Sequence, residues 1–321
     1  MVRVLSETAI KRVLDIETLL PVVEEALVKQ ARGAVERPDR PHFPVGTGLD
    51  GEQPHGTAIT MPAYIHGDDR YATKLVSVNE GNESRGLPTL HAQILLTDAR
   101  TGVPVAFMGA TTVTNARTGC IGALAVRDLA SEATTLSVLG AGAQARWQAR
   151  AIDAVADLSA VRIYSPSDSR TQCVTDLQSM NVPATAVDSP EDAVEAADVV
   201  VTATTSAKPV FPADALAPGA LVVAVGAYTP EMQEVDSGVF ERASEVIADV
   251  PEEVATIGDL LATDLAESDL VALGSVLAEG YVVGPDETIV VESVGSAVLD
   301  AAAGQAVYEA AGNAGTDVSL E

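Results

Sequence analysis

The chain has 321 residues, with 46 Asp and Glu against 19 Lys and Arg, only 3% aromatic residues and a net charge of −27. At about 150 residues per domain this length predicts two domains, and a hydrophobic fraction of 47% excludes an acidic disordered chain. The charge excludes nucleic acid and anionic membrane surfaces as partners, because either would repel it. No apolar run approaches the roughly 18 residues of a membrane span, and Met1-Val2-Arg3 opens directly into folded-looking sequence, so a cytoplasmic protein is expected. Cys120 and Cys173 make no disulfide framework, and no metal-ligand spacing occurs among the cysteines or the four histidines.

Lysine occurs only at Lys11, Lys29, Lys74 and Lys208, whereas there are fifteen arginines. A carboxylate-rich surface depleted of lysine predicts a halophilic protein, since a Debye length of about 3 Å in 1 M salt screens the self-repulsion. An ordinary acidic protein is the alternative.

In chain order, Asp15 to Gly33 reads as an amphipathic helix. Asp15 caps it, Leu19, Leu20, Val23, Ala26, Leu27 and Ala31 recur at helical spacing, and Gly33 stops it. A Pro/Arg-rich loop, Arg37-Pro38-Asp39-Arg40-Pro41, leads to strand-like stretches at Thr57 to Ile65, Tyr71 to Asn79 and His91 to Thr97. The turn Asp98-Ala99-Arg100-Thr101-Gly102 joins the last of these to Val103 to Met108 as a hairpin. Strands without intervening helices predict an α+β first domain.

After a helix beginning near Thr112, short apolar strands alternate with helices. They fall at Leu136 to Leu139, Val161 to Tyr164, Ala184 to Val187, Val199 to Ala203, Leu221 to Val225, Val246 to Ala248 and Thr288 to Glu292. This predicts a doubly wound parallel sheet buried on both faces. The Ala-rich helix from Gly295 to Ala311 is expected to pack back on the first domain. The chain is therefore divided into a Rossmann domain at 119–294 and a discontinuous α+β domain made of 1–118 and 295–321.

Leu136-Ser137-Val138-Leu139 followed by Gly140-x-Gly142-x-x-Ala145 and a helix is a dinucleotide fingerprint. Gly140 makes the turn, Gly142 admits a pyrophosphate, and Ala145 keeps the helix close to the strand. The second strand ends in Tyr164-Ser165-Pro166-Ser167, with Asp168, Ser169 and Arg170 behind and no carboxylate at its tip. Hydroxyls and a guanidinium there suit a 2′-phosphate, favouring NADP over NAD, although Asp168 could still reach a ribose; a plain polar turn and helix cap is the bland reading.

Lys74 stands within an apolar strand, where partial burial lowers a lysine pKa and lets it move a proton or polarise a carbonyl. A snorkelling edge lysine is the alternative. Arg117, read as lying at the start of its helix, and Arg40 in the Pro-rich loop are candidate carboxylate clamps, or else surface ion pairs. No nucleophile elbow appears.

Together these segments resemble the ornithine cyclodeaminase/mu-crystallin family, which includes archaeal-type alanine dehydrogenases and ketimine reductases. The resemblance rests on Pro38-Asp39-Arg40, Met61-Pro62-Ala63, Lys74-Leu75-Val76, Gly86-Leu87-Pro88-Thr89 and Leu96-Thr97-Asp98. It continues through Thr114-Asn115-Ala116-Arg117-Thr118, Gly140-Ala141-Gly142-Ala143-Gln144-Ala145, Val225-Gly226-Ala227, Glu234-Val235-Asp236 and Ser293-Val294-Gly295 with Asp300. It implies a homodimer whose first domain carries substrate groups and dimer contacts. It also implies that Arg40, Lys74 and Arg117 hold the carboxylate of a small amino or imino acid. Thr204, Ser206, Val225 and Gly226 would line the nicotinamide, with Thr118, Gln144, Ser293 and Gly295 as further cofactor contacts. Where the cyclodeaminases and archaeal-type alanine dehydrogenases carry an Asp, this chain has Tyr228, which is no anionic base near neutral pH. That favours an imine or keto-acid oxidoreductase over an ornithine cyclodeaminase; a non-catalytic ligand-binding protein is a further alternative.

Overall fold

A computed structural model describes residues Met1–Leu320, apart from the side chains of Glu80 and Glu83. The chain runs β1 (Val2–Leu5), α1 (Glu7–Val13), α2 (Ile16–Ala31), β2 (Val35–Glu36), β3 (His42–Val45), β4 (Gly56–Ile65), β5 (Arg70–Val78), β6 (Leu90–Asp98), β7 (Pro104–Gly109) and α3 (Thr111–Leu129). It continues through β8 (Thr135–Leu139), α4 (Ala143–Asp153), β9 (Ala160–Tyr164), α5 (Ser169–Gln178), β10 (Ala184–Ala186), α6 (Pro190–Val194), β11 (Val199–Thr202) and β12 (Leu221–Ala224). The remainder is α7 (Ser237–Arg242), β13 (Ala243–Ala248), α8 (Pro251–Val254), α9 (Gly258–Leu261), β14 (Val271–Ala272), α10 (Leu273–Glu279), β15 (Thr288–Glu292), α11 (Ala297–Ala310) and β16 (Thr316–Val318). It divides into two units, Met1–Arg117 with Ala297–Glu321, and Thr118–Ser296.

In the first unit local chemistry sets the element ends. The Asp15 carboxylate accepts from the Thr18 N–H at 3.0 Å and so caps α2, and Gly33 ends that segment at φ +67°. Asp98 Oδ1 accepts from the N–H groups of Arg100 and Thr101 and from the Thr101 hydroxyl, closing the β6–β7 hairpin. The sheet order is β16-β1-β7-β6-β5-β4-β2, with β3 beside β4. The sequence signal did not find β3, because Pro44 interrupts the strand pattern; the structure places it as an edge strand that pairs only with β4.

Along β5 and β6, Ala72, Lys74, Val76, Ala92, Ile94 and Leu96 alternate inward, and α11 lies across β4, β5 and β6. Gly304 permits that approach, since a Cβ there would stand 3.3 Å from Ile94. Lys74 is thus carried into the sheet–helix layer by the period-2 register of an otherwise apolar strand face.

The second unit holds an all-parallel sheet of order β10-β9-β8-β11-β12-β15-β13-β14. Every residue of β11, β12 and β15 is buried, as the continuous Val-rich runs predict for strands covered on both faces. Each such valine contributes about 1.5–3 kcal/mol of burial. Helix α4 ends at Asp153, and the Ala154 and Ala156 N–H groups still bond the Arg150 and Ile152 carbonyls just beyond it.

Candidate active site

The strand order of the second unit reverses at β8, which lies between β9 and β11. Dinucleotide crevices open outside the carboxyl ends of the strands at such a point. Gly140 leaves β8 at φ +126°, and a Cβ there would stand 2.4 Å from the Ala203 carbonyl. Only glycine meets both constraints. Gly142 caps α4 with no side-chain hydrogen bond and open space where a Cβ would stand, so no side chain blocks the helix N-terminus at its cap. Ala145 is fully buried one turn on, and Arg146 folds back to donate to the Ala141 and Gly142 carbonyls. Uncapped amides and an open cradle suit a pyrophosphate.

At the end of β9, the Ser165, Ser167 and Ser169 hydroxyls form a cluster, with Ser167 and Ser169 at 2.6 Å. Arg170 donates to the Ser165 carbonyl at 3.2 Å and to Asp188 at 3.1 Å. Asp168 begins α5 without a side-chain cap bond.

Beyond β11 and β12, Thr204 and Gly226 donate backbone N–H groups to Glu234 at 2.6 and 2.7 Å, and the Thr202 hydroxyl donates to the same carboxylate at 3.0 Å. Ser206 donates from its N–H to the Thr204 hydroxyl and from its own hydroxyl to the Lys208 carbonyl. Val225 bonds the Thr202 carbonyl. Tyr228 is half-exposed in the loop after β12. Ser293 and Gly295 are both held by Asp249, through the Ser293 hydroxyl at 2.7 Å and the Gly295 N–H at 2.8 Å. The Thr118 carbonyl accepts from buried Gln148 at 2.8 Å.

The first unit carries a buried ion cluster. Lys74 Nζ donates to Asp300 Oδ2 at 2.5 Å, and Arg117 Nε donates to Asp300 Oδ1 at 3.0 Å. All three side chains are at least 95% buried. Asp300 lies in the first turn of α11, where the helix dipole favours a carboxylate. Burial pushes Lys74 down to about 8; Asp300 opposes that shift, while Arg117 and Arg40 reinforce it. Burial alone would raise Asp300, but Arg117 and Lys74 outweigh it and hold the carboxyl below its usual range.

One expectation needs correction. Arg117 is not at a helix start, because α3 begins at Thr111 and places Arg117 in its second turn. That helix N-terminus is already satisfied by an anion. The Glu7 carboxylate accepts from the Thr111 and Thr112 N–H groups at 2.8 and 3.2 Å, so that helix terminus is capped and lends Arg117 no dipole.

Sequence reasoning singled out no role for the buried carboxylates of the second unit, Glu234, Asp249, Asp259 and Glu292. The available signal was Glu292 closing the run Thr-Ile-Val-Val and Asp249 following Val-Ile-Ala, charges directly after apolar runs. Among the described residues, no group of three or more His, Cys, Asp or Glu is placed to hold a metal ion. No helix among them is long and apolar enough to cross a membrane.

A glycine-turned helix at the switch point of a parallel sheet, paired with a unit whose interior holds Lys74, Arg117 and Asp300, defines a dinucleotide-binding α/β protein with a separate cationic site. The chain belongs to the ornithine cyclodeaminase/mu-crystallin family, whose model matches residues 1–315. It is 31% identical over 295 residues to a Delta(1)-pyrroline-2-carboxylate reductase of Bacillus cereus, covering 88% of this chain and 90% of that protein. The structure of the Thermococcus litoralis Delta(1)-pyrroline-2-carboxylate reductase with NADH and L-proline matches at a TM-score of 0.91, with 26% identity over 98% of this chain and all of that one. An archaeal alanine dehydrogenase dimer with bound NAD matches at 0.90, with 27% identity over all of this chain and 99% of that one.

Proposed function

We propose that the protein is an NAD(P)-dependent oxidoreductase of small amino or imino acids, passing a hydride between the nicotinamide and the substrate α-carbon. The observation that carries this reading is the charge balance around Lys74. Asp300 is one buried anion facing Lys74 and Arg117, with Arg40 close enough to depress Lys74 further. Lys74 and Arg117 meet at one buried carboxylate and the Arg40 guanidinium acts on Lys74, a cationic neighbourhood whose chemistry suits a substrate carboxylate.

The nicotinamide supplies the hydride when bound. Gly140, Gly142, Gln144, Ala145 and Thr118 hold the dinucleotide, with Thr204, Ser206, Val225, Gly226, Ser293 and Gly295 at its nicotinamide half. Ser165, Ser167 and Arg170 receive the ribose end and favour NADP over NAD, since hydroxyls and a guanidinium rather than a carboxylate close β9. Arg40 and Arg117 bind the substrate carboxylate. Lys74, with a pKa of about 8, is matched to donating a proton to the substrate nitrogen near neutral pH. Tyr228 serves as a hydrogen-bonding group, because a phenol is not an anionic base at that pH.

The protein works as a homodimer in a salt-rich cytoplasm. The dimer is supported by the sheet face opposite α11, where Val4, Phe107 and Leu95 align across β1, β7 and β6 beside half-exposed Tyr71 and Leu75. Support also comes from the dimeric state of the archaeal alanine dehydrogenase.

The test follows NADPH and NADH at 340 nm in high KCl with Δ1-pyrroline-2-carboxylate, Δ1-piperideine-2-carboxylate, and pyruvate plus ammonium. Oxidation with any of these is expected, faster with NADPH. Proline and ammonia formed from ornithine, with no reduction of the other three, would replace the proposal with cyclodeamination.

A further inference from the structure

Glu234 is fully buried, yet its carboxylate reaches three donors on two different strand ends: the Thr202 hydroxyl and Thr204 N–H beyond β11, and the Gly226 N–H beyond β12. All three donate, so the side chain must act only as an acceptor, which an ionised carboxylate does and a carboxylic acid or amide does not. The approach is close enough to dictate sequence. A Cβ on Gly226 would stand 2.4 Å from Glu234 Oε2 and 2.3 Å from the Thr204 carbonyl. Glu234 is fixed in turn from below, because Asp259 Oδ1 accepts from the Glu234 and Val235 N–H groups at 2.7 and 2.8 Å. One acid thus braces the loop that carries another, and the second ties two cofactor-facing loops together.

We propose that Glu234 is the positioning residue for the nicotinamide half of the cofactor, setting the spacing between the Thr204–Ser206 and Val225–Gly226 loops while touching neither cofactor nor substrate. This rests on the cofactor assignment made above. The dinucleotide's other end is gripped by the Gly140–Ala145 turn, to which Glu234 makes no bond, so the two halves of the cofactor separate its effect from general damage.

The charge state of Glu234 makes the device pH-dependent. It faces Asp259 on α9 and Glu292 on β15, and Glu292 also faces Asp249 beyond β13. Burial pushes Glu234 up to about 7 and Asp259 adds to that rise, while the bonds from Thr204 and Thr202 oppose it. A proton on Glu234 replaces an acceptor with a donor that faces N–H groups, and the two loops lose their common tether.

The experiment titrates the full chain with NADH and, separately, with ADP-ribose, which lacks the nicotinamide, between pH 5.5 and 8.5. NADH is used because a 2′-phosphate would itself titrate near pH 6. E234Q is expected to weaken NADH about 10- to 100-fold, the loss of one bond to a charged acceptor, and to leave ADP-ribose within about twofold. Wild-type NADH affinity is expected to fall as pH drops through about 7, reaching about tenfold one unit below, whereas E234Q stays flat. T202V, which removes one donor from the ionised form, moves that midpoint upward and reads the same device if E234Q does not fold. Unchanged NADH binding in E234Q, equal weakening of both ligands, or a flat wild-type profile would overturn the proposal while leaving the cofactor assignment standing. Wild-type protein that binds neither ligand would overturn the assignment, and the proposal with it.

Discussion

Replacing Asp300 by Asn removes the carboxylate charge that both Lys74 and Arg117 bond while keeping the side chain's shape. Breaking a buried pair by deleting one partner costs about 3–5 kcal/mol, because the remaining charges stay desolvated. Lys74 has a second way to respond: it can lose its proton. Its pKa of about 8 is already a compromise in which Asp300 opposes burial. Without that support it moves toward the value of about 6 known for buried lysines. At pH 7.5 the protonated fraction then falls from about three quarters to about 3%, so a reaction that needs the ammonium slows about 25-fold. The assay is imine reduction at saturating NADPH from pH 5 to 9, with urea denaturation alongside. D300N is expected to move the alkaline limb of the profile from near 8 to near 6 and to recover rate at low pH. An alkaline limb that stays at 8 would refute the coupling, even if stability falls.

Four further outcomes are expected. Burial and the nearby carboxylates of Asp259, Glu234 and Asp249 raise Glu292 well above the ordinary range, so folding favours its protonated form. A carboxyl raised on folding gives stability that is present below its unfolded pKa and is lost as pH rises through the folded one. E292Q should therefore match wild-type melting below about pH 4.5 and exceed it increasingly as pH rises from there; strong destabilisation at pH 7 would mean an ionised, paired Glu292. G140A forces a side chain into φ +126° against the Ala203 carbonyl and should weaken NADH and ADP-ribose together by about tenfold or more, unlike E234Q. Leu75→Glu with Phe107→Glu should convert a dimer to a monomer in light scattering, and an unchanged mass would place the contact elsewhere. Raising KCl from 0.1 to 2 M should raise the melting temperature, and no gain would remove the halophilic reading.

The architecture of the second unit was legible because its signals are local. The strand, glycine turn and helix around Gly140 occupy consecutive residues, and each Val-rich run states its own burial. The ends of α2 were legible for the same reason, Asp15 and Gly33 being cap residues with short-range mechanisms. Lys74 was conspicuous as a rare lysine in an apolar strand, but its fixing anion lies 226 residues away and no periodicity reports that pairing. Arg117 was misplaced within its helix because the cap is Glu7, more than 100 residues upstream. Glu234 escaped functional reading altogether. Glu234-Val235-Asp236 counted only toward the family resemblance, because the three donors that meet this carboxylate are brought together by the parallel register of β11 and β12.

The pairing of Lys74 with Asp300 also bears on how the chain is made. During synthesis at about 5–20 residues per second, the 226 residues between them take about 11–45 s to emerge. β4, β5 and β6 thus emerge well before the helix that covers them, and Lys74 waits for Asp300. The nascent first unit is a sheet with a wet, charged face until α11 arrives, while the second unit can complete its own strands in the meantime. The ion cluster thus cannot close until α11 has emerged, after every strand of both sheets except β16, which follows and pairs with β1.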